Sequence, residues 1–571
     1  MIASLELQAL DQRIAKRTAY IDLWRRPKEP LLFETLRAID LVYCRELFPE
    51  NQNVKVSRTE AQYQWLQGWG INKALERLMP DQFSSGPFVL FPSKPAIQDQ
   101  ADEFLFNCGI VEKAESVRGW LADDLLSARL ETPNQTFPSG MKQLLVLRTD
   151  DPSLHAEIIA RTQREWLSNM SIKMDRAWEE ALEKRHMEIL PELTQRVDML
   201  QNWGIRYSTS REIDRYFDEW GQVYLRRMWS YDLVGPEEKL GGNEFRDYLG
   251  VLAAISGRSQ KHLCFAGLLK HKHPQLDWRN LLTTFSPYDE FLEGLARHLD
   301  ADRLQLQQLL SSLTLEPTNR DAHLKIAEPA WAPLVRSNQD NLILPAYGLE
   351  INPFLFLLRD LQYKYPREWS EIANNREKRW RNELNGVFLK PRWNVAEREI
   401  LLRDGGRTIT DIDAVVYDST KNELGLFQLK WQQPVGAYGR ANKSAAKNLV
   451  EESNKWISSV TGWLAANGAS SILERIGVSG RSAPRVLLFV LARYNAHFPG
   501  KRAADQVAVW ADWPHFVRAV AETGRSSLSD IEARLRAEAS RLRASKSESY
   551  FIPLDDMAIL LNPTKEPEQR K

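Results

Sequence analysis

Residues Thr408–Trp431 read TITDIDAVVYDSTKNELGLFQLKW. Two runs of β-branched and apolar residues, Ile412–Tyr417 and Leu424–Trp431, flank Asp418-Ser-Thr-Lys-Asn422, whose composition is that of a turn. The stretch therefore predicts a β-hairpin. Side chains alternate faces along a strand, so Asp411 and Asp413 share one face of the first strand and Gln428 and Lys430 one face of the second. A loop of Ser419–Asn422 sets Asp413 opposite Gln428 and Asp411 opposite Lys430. All four polar groups then lie on one side of an otherwise apolar hairpin.

Burying such groups is costly unless they are paired or bind something. A divalent metal satisfies them. The Asp413 carboxylate and the Gln428 side-chain oxygen are hard donors suited to Mg2+ or Mn2+, and the Leu429 backbone carbonyl offers another. Lys430 would stand beside such an ion, placed to orient or deprotonate a water.

An acidic residue in one strand followed by (Asp/Glu/Gln)-x-Lys in the next resembles the PD-(D/E)xK, or restriction-endonuclease-like, nuclease superfamily. The wording IDAVV then GLFQLKW is similar to members with Gln in place of the second acid, such as Mrr-type restriction enzymes; Ile412 stands where the name-giving Pro would be. The resemblance implies that Asp413 is the first metal ligand, Gln428 the second and Lys430 the catalytic lysine. It also implies a Glu on the preceding helix. Pro366–Leu384 reads as that helix, Glu377 in NREKRW matches the family Glu, and Glu383 is the reserve. A core strand follows within Val387–Arg403, best placed at Asn394–Leu402. Arg440–Ala466 then reads as an amphipathic helix and Pro484–Arg493 as a buried strand. Arg440, Lys443 and Lys447 on that helix are candidates for gripping a nucleic-acid backbone, or simply its solvated face.

The expected fold class is α+β multidomain: a large, mostly helical N-terminal region followed by a C-terminal α/β/α domain with a central mixed sheet. The expected divisions are 1–150, helical with a few short strands; 151–350, helical with one long helix; 351–562, nuclease-like; and 563–571, a disordered tail. By resemblance the activity is metal-dependent phosphodiester hydrolysis by an endonuclease, on DNA rather than RNA. Architecture adds, by analogy only, a restriction or antiviral-defence role with a regulatory protein partner or a homo-oligomer. A catalytically inactive nuclease-like module that binds nucleic acid or protein is the alternative.

Composition sets outer limits. The 571 residues carry equal numbers of acidic and basic side chains, with 43% hydrophobic content, which is ordinary for a globular chain. The balance hides an asymmetry: residues 366–545 hold about 28 Lys and Arg against about 20 Asp and Glu, an excess near the motif that suits a polyanion. Cys44, Cys108 and Cys264 form no C-x-x-C pair, and no signal peptide or long apolar run occurs, so a cytoplasmic protein without membrane contact is expected. No Walker loop or G-x-G-x-x-G is present.

Upstream, Leu31–Phe48 and Ala61–Leu78 have helical spacing, Pro87–Pro92 and Leu144–Arg148 look extended, and Tyr63, Trp65 and Trp69 read as core rather than base-stacking residues. His155–Leu200 predicts a long helix with a break or kink at Leu190-Pro191, and Thr209 with Glu212 has capping-box spacing. His262, Cys264, His271 and His273 match no common zinc spacing and read as surface histidines and a core cysteine. His497 and His515 have no nucleophile-and-acid arrangement nearby. Pro and Gly in LPAYGLEIN mark a boundary near Leu344–Asn352, Pro353–Leu361 a docking helix, Ser529–Arg543 a basic helix and Tyr550–Leu561 a closing strand.

Overall fold

The computed structural model describes residues 5–24, 28–44, 47, 57–86, 90–122, 127–132, 141–148, 176–228, 232–326, 329–431, 447–494, 496, 504–524, 526–539 and 550–561. Among them the chain mixes helices with mixed sheets, an α+β protein. Helices α1 (Leu5–Asp22), α2 (Lys28–Cys44), α3 (Arg58–Trp69), α4 (Ile71–Leu78) and α5 (Pro95–Ala122) share one apolar core. The helix expected over Ala61–Leu78 is two helices meeting at Gly70. A Cβ there would lie 2.2 Å from the Leu105 carbonyl, so glycine lets α5 approach. Tyr63 stacks on Phe106 and Trp65 meets Trp69 edge-on, with the Lys113 ammonium 3.7 Å from the Trp69 ring centre. These aromatics pack inward, as their spacing suggests. Strands β1 (Ser127–Glu131) and β2 (Gln143–Arg148) follow as an antiparallel pair.

Helix α6 (Arg176–Arg196) carries Pro191 inside it, so of the expected break or kink the break does not occur. Ile189 and Leu193, buried on either side, hold the turn together against a penalty of about 3 kcal/mol. Residues 155–175 of the expected helix lie outside the described residues, and Val197–Leu200 is a strand paired with Gly204–Tyr207. Helix α7 (Arg211–Met228) is capped by Ser210, whose hydroxyl accepts from Ile213 N at 3.4 Å; Thr209 bonds to Asp214 instead. On α8 (Phe245–Lys272), His262 is buried, not a surface residue. Its ring nitrogens meet Leu281 O at 2.6 Å and the Tyr207 hydroxyl at 3.2 Å, which leaves neither for zinc. The region is not wholly helical, because strands between Thr284 and Leu344 form a four-stranded sheet.

Helices α9 (Pro353–Lys364) and α10 (Pro366–Val387) follow the boundary expected at Leu344–Asn352, with α9 where the docking helix is expected. Phe354, Leu357 and Leu361 of α9, with Trp369 and Ile372 of α10, pack into the helical body, whereas Trp380 and Leu384 of α10 pack under the next sheet. One helix thus belongs to two cores. The apolar face simply continues along it, and no sequence punctuation marks the change.

That next sheet has strands β3 (Trp393–Val395), β6 (Ala414–Asp418), β7 (Glu423–Lys430), β8 (Arg485–Ala492) and β9 (Ala508–Asp512), hydrogen-bonded in this order. β6 runs antiparallel to its neighbours and β7, β8 and β9 run parallel. The strand expected over Asn394–Leu402 is split. Its first part is β3, and its second becomes β4 (Ile400–Asp404), which pairs with β5 (Arg407–Ile412) in a hairpin outside the sheet. Helix α11 (Glu452–Asn467) covers one face of the sheet; α10, α12 (Trp513–Glu522) and α13 (Leu528–Ala539) cover the other. His515 is buried on α12 and bonds to Glu538 of α13.

Strands β10 (Tyr550–Leu554) and β11 (Met557–Leu561) do not close this sheet. β11 runs parallel to β2, giving a sheet of order β1-β2-β11-β10 in the N-terminal body. The domain expected to span 351–562 therefore gives up its last strands, because the apolar edge of β2 offers them a partner. The 563–571 tail lies outside the described residues. Among the described residues no helix is long and apolar enough to cross a membrane.

Candidate active site

The β6–β7 turn fixes the register. Asp418 pairs with Glu423 and Ala414 with Phe427, which brings Asp413 level with Gln428. Asp413 N donates to Phe427 O at 3.1 Å, and the Gln428 carboxamide nitrogen reaches Asp413 Oδ2 at 2.5 Å. The pairing expected one step further is absent. The chain bends at Asp413, and Asp411 pairs with Leu401 on β4 rather than with Lys430. Trp456 of α11 holds this bend by donating to Asp411 O at 2.7 Å.

Gln428 and Lys430 share the face of Leu424 and Leu426, the one covered by α11, and Lys430 Nζ lies 3.3 Å from Glu452 Oε2 of that helix. Leu429 meets Asp413 through its N–H, at 2.6 Å from Oδ2, and not through its carbonyl. A carboxylate needs a donor, and a carbonyl is none. In a strand the N–H and C=O of one residue face the same neighbour, so the Leu429 carbonyl is directed to the edge where β6 gives way to the bend.

Asp413 is 3% exposed. Burial pushes its pKa up to about 7; the Leu429 N–H opposes this, the Glu377 and Asp411 charges add to it, and Lys430 opposes it. Glu377 is exposed to solvent as a residue, yet the protein crowded around its carboxyl partly desolvates it and raises its pKa, lowered in turn by Lys430, raised by Asp411, lowered by Arg381 and raised by Glu399. The expected residues Asp413, Gln428, Lys430 and Glu377 thus share one electrostatic neighbourhood. They do not form one contact shell: α10 lies on the sheet face opposite α11, so Glu377 acts on the cluster round the end of the strand.

Glu383, the reserve, serves elsewhere, 2.8 Å from Arg493. Lys447 is exposed at the start of the segment leading into α11, while Arg440 and Lys443 lie outside the described residues. Two arginines went unread in the sequence. Arg381 Nε donates to the Asp413 carbonyl and its Nη2 lies 3.5 Å from Glu399; its spacing from Glu377, one helical turn, was the available signal. Arg493 N donates to Lys430 O at 3.1 Å, and nothing in the local sequence announces it.

The donors here include carboxylate oxygens, of the kind a hard divalent cation takes. Burial makes negative charge unfavourable at Asp413 and Glu377, the neighbouring Asp411 adds to this at both, and an ion of opposite sign would relieve it. The arrangement is not a closed cage. Among the described residues no three His, Cys, Asp or Glu side chains lie close enough to share an ion, and Gln428 turns its nitrogen, not its oxygen, toward Asp413. Turning that carboxamide is a soft motion, but its oxygen would face a carboxylate and be repelled unless a cation or proton stood between them.

No family model, no curated protein and no solved structure matches this chain.

Proposed function

We propose that the chain is a metal-dependent nuclease acting on the phosphodiester bonds of nucleic acid, DNA in preference to RNA. The observation that carries this reading is the end of β7. There a buried carboxyl lies level with a carboxamide, within the field of an ammonium and of further carboxylates, where a strand leaves the sheet. Asp413 and Gln428 would hold Mg2+ or Mn2+, with the Leu429 carbonyl and Glu377 assisting. Such an ion, when bound, supplies Lewis acidity to a phosphate and lowers the pKa of its water.

The chain's own residues do the rest. Lys430, at the half-buried mouth, exchanges Glu452 for the substrate, orients the attacking water and offsets charge growing on the phosphate. Arg381 fixes the Asp413 backbone through its carbonyl, so the carboxyl keeps its aim. Lys447 is exposed and free to meet a backbone phosphate. The large helical body suggests recognition of foreign nucleic acid or a regulatory partner, the role of a cytoplasmic restriction or antiviral-defence effector.

One observation favours a second reading, a non-catalytic module that binds nucleic acid or a protein partner. Without any ion, Gln428 and Leu429 already satisfy Asp413, and Glu452 satisfies Lys430. Cleavage of duplex DNA, single-stranded DNA and structured RNA with Mg2+ or Mn2+ separates the two. Cutting by the native protein that disappears in Lys430→Ala supports the nuclease; binding without cutting, equal in both, supports the module.

A further inference from the structure

The residue that follows β8, Arg493, is held from outside the sheet. At the end of β8, Arg493 is 2% exposed, and its backbone N–H reaches across to the carbonyl of Lys430, continuing the parallel register in which Lys430 faces Ala492. Its guanidinium lies among three indoles, 4.6 Å from the ring centre of Trp431, 5.4 Å from Trp513 and 5.5 Å from Trp380. One side of it meets Glu383 of α10 at 2.8 Å. The other grips Asp232, through Nε at 3.2 Å and through Nη2, and the Tyr494 hydroxyl donates to the same carboxylate at 2.9 Å.

Asp232 belongs to the helical body, just beyond α7. The segment it begins is gripped a second time by α10. Arg379 bonds to the carbonyls of Asp232 and Leu233 at 2.9 and 3.1 Å and to Glu238 at 2.9 Å, and Arg376 to Leu233 O at 3.1 Å. These arginines flank Glu377 on the same helix. A surface ion pair would mean little, but the Arg493 guanidinium is almost wholly removed from water while Asp232 and Glu383 keep 21% and 39% of their side chains exposed, so taking away a carboxylate leaves a buried cation short of a partner. The length of this connection is therefore short: body, Asp232, Arg493, then the peptide of Lys430.

We infer that Arg493 is a positioning residue that sets Lys430 from the helical body, with Asp232 as the body's end of the connection. The kinetic part of this rests on the nuclease reading; the mechanical part does not. Arg493 touches no substrate in this scheme. It fixes the peptide from which the Lys430 side chain departs, and a shift of about 1 Å at a reacting group costs on the order of 100-fold in rate.

The test uses the full-length protein and its variants Asp232→Asn, Arg493→Met, Arg493→Lys and the double Asp232→Asn/Arg493→Met. Mg2+-dependent cutting is measured alongside hydrogen exchange of peptides covering 424–431 and 485–494. The expected result is a kcat lowered about tenfold or more in Asp232→Asn and Arg493→Met with KM held within about twofold, partial recovery in Arg493→Lys, and a double variant no worse than the worse single. Exchange at the two strand ends should quicken while α11 keeps its protection. Native kcat in Asp232→Asn, or losses that add in the double variant, overturns the inference. If Arg493→Met does not fold, Asp232→Asn carries the test, since it retains the arginine and most of the carboxylate's shape. If the native protein cuts nothing, the nuclease reading falls alone and exchange decides: quickening confined to the strand ends upholds the connection, and unchanged exchange removes it.

Discussion

Strand β6 has a buried aspartate at either end, and the two are treated in opposite ways. Asp418 is fully buried and meets Arg392 through Nε at 3.0 Å and through Nη2, while Thr420 N and Lys421 N donate to it at 2.9 and 3.2 Å. The Asp413 carboxylate, five residues earlier, has no cation in contact among the described residues; it has a carboxamide, one backbone N–H and the fields of Glu377, Asp411 and Lys430. One end is neutralised by the fold itself. The other, among the described residues, is left short of positive charge.

The sharpest break in this comparison is catalytic. Asp413→Ala and Lys430→Ala should each lower metal-dependent cleavage by about 100-fold or more, whereas Asp418→Ala should leave the rate per folded molecule within about twofold. Equal losses at the two aspartates would erase the distinction between them. Stability should divide the other way. Arg392→Ala leaves the Asp418 carboxylate buried without its cation and should cost about 3 kcal/mol in urea unfolding. Asp413→Asn, by contrast, should be neutral or stabilising at pH 8.

The pH dependence sharpens the same point. A carboxyl whose pKa rises to about 7 on folding binds a proton that the unfolded chain has lost, so its favourable contribution is complete below about pH 4 and is lost as pH rises through 7. Measured with chelator present, Asp413→Asn should gain on the native protein across that window, by no more than about 1.4 kcal/mol per pH unit, and the gain should level off above it. A flat difference between pH 4 and 8 would contradict the shift. The smallest effect is expected at Lys447→Ala: a few-fold weaker DNA binding, uniform across sequences, with the salt slope reduced by about one.

What the sequence discloses follows the same division between local and distant causes. The 413–428 pairing is legible because a turn of known length and strict alternation are both local. Its interruption is not read from those rules. Gly405 and Gly406, at φ 53° and 83°, form the tip of the β4–β5 hairpin that draws Asp411 away; the glycine pair was visible, but competition between two partners for one strand is settled only in three dimensions. Glu377 is found by its place on a helix, and Arg381 could have been by its spacing. Arg493 and Asp232 could not, since an ion pair between residues 261 apart leaves no local trace. Burial of His262 and continuation of α6 through Pro191 likewise depend on what packs against them.

The parallel pairing of β11 with β2 has a consequence for how the chain is made. Met557 must reach Gln143 across about 400 residues, which at a synthesis rate of about 5–20 residues per second means a wait of roughly 20–80 s. The sheet bearing Asp413 and Lys430 lies wholly between those strands, so its strands leave the ribosome while Leu144–Leu147 still presents an open, apolar edge. During that interval the edge is open to pairing with other chains, and a chain that stops within it lacks both β10 and β11, half of that sheet.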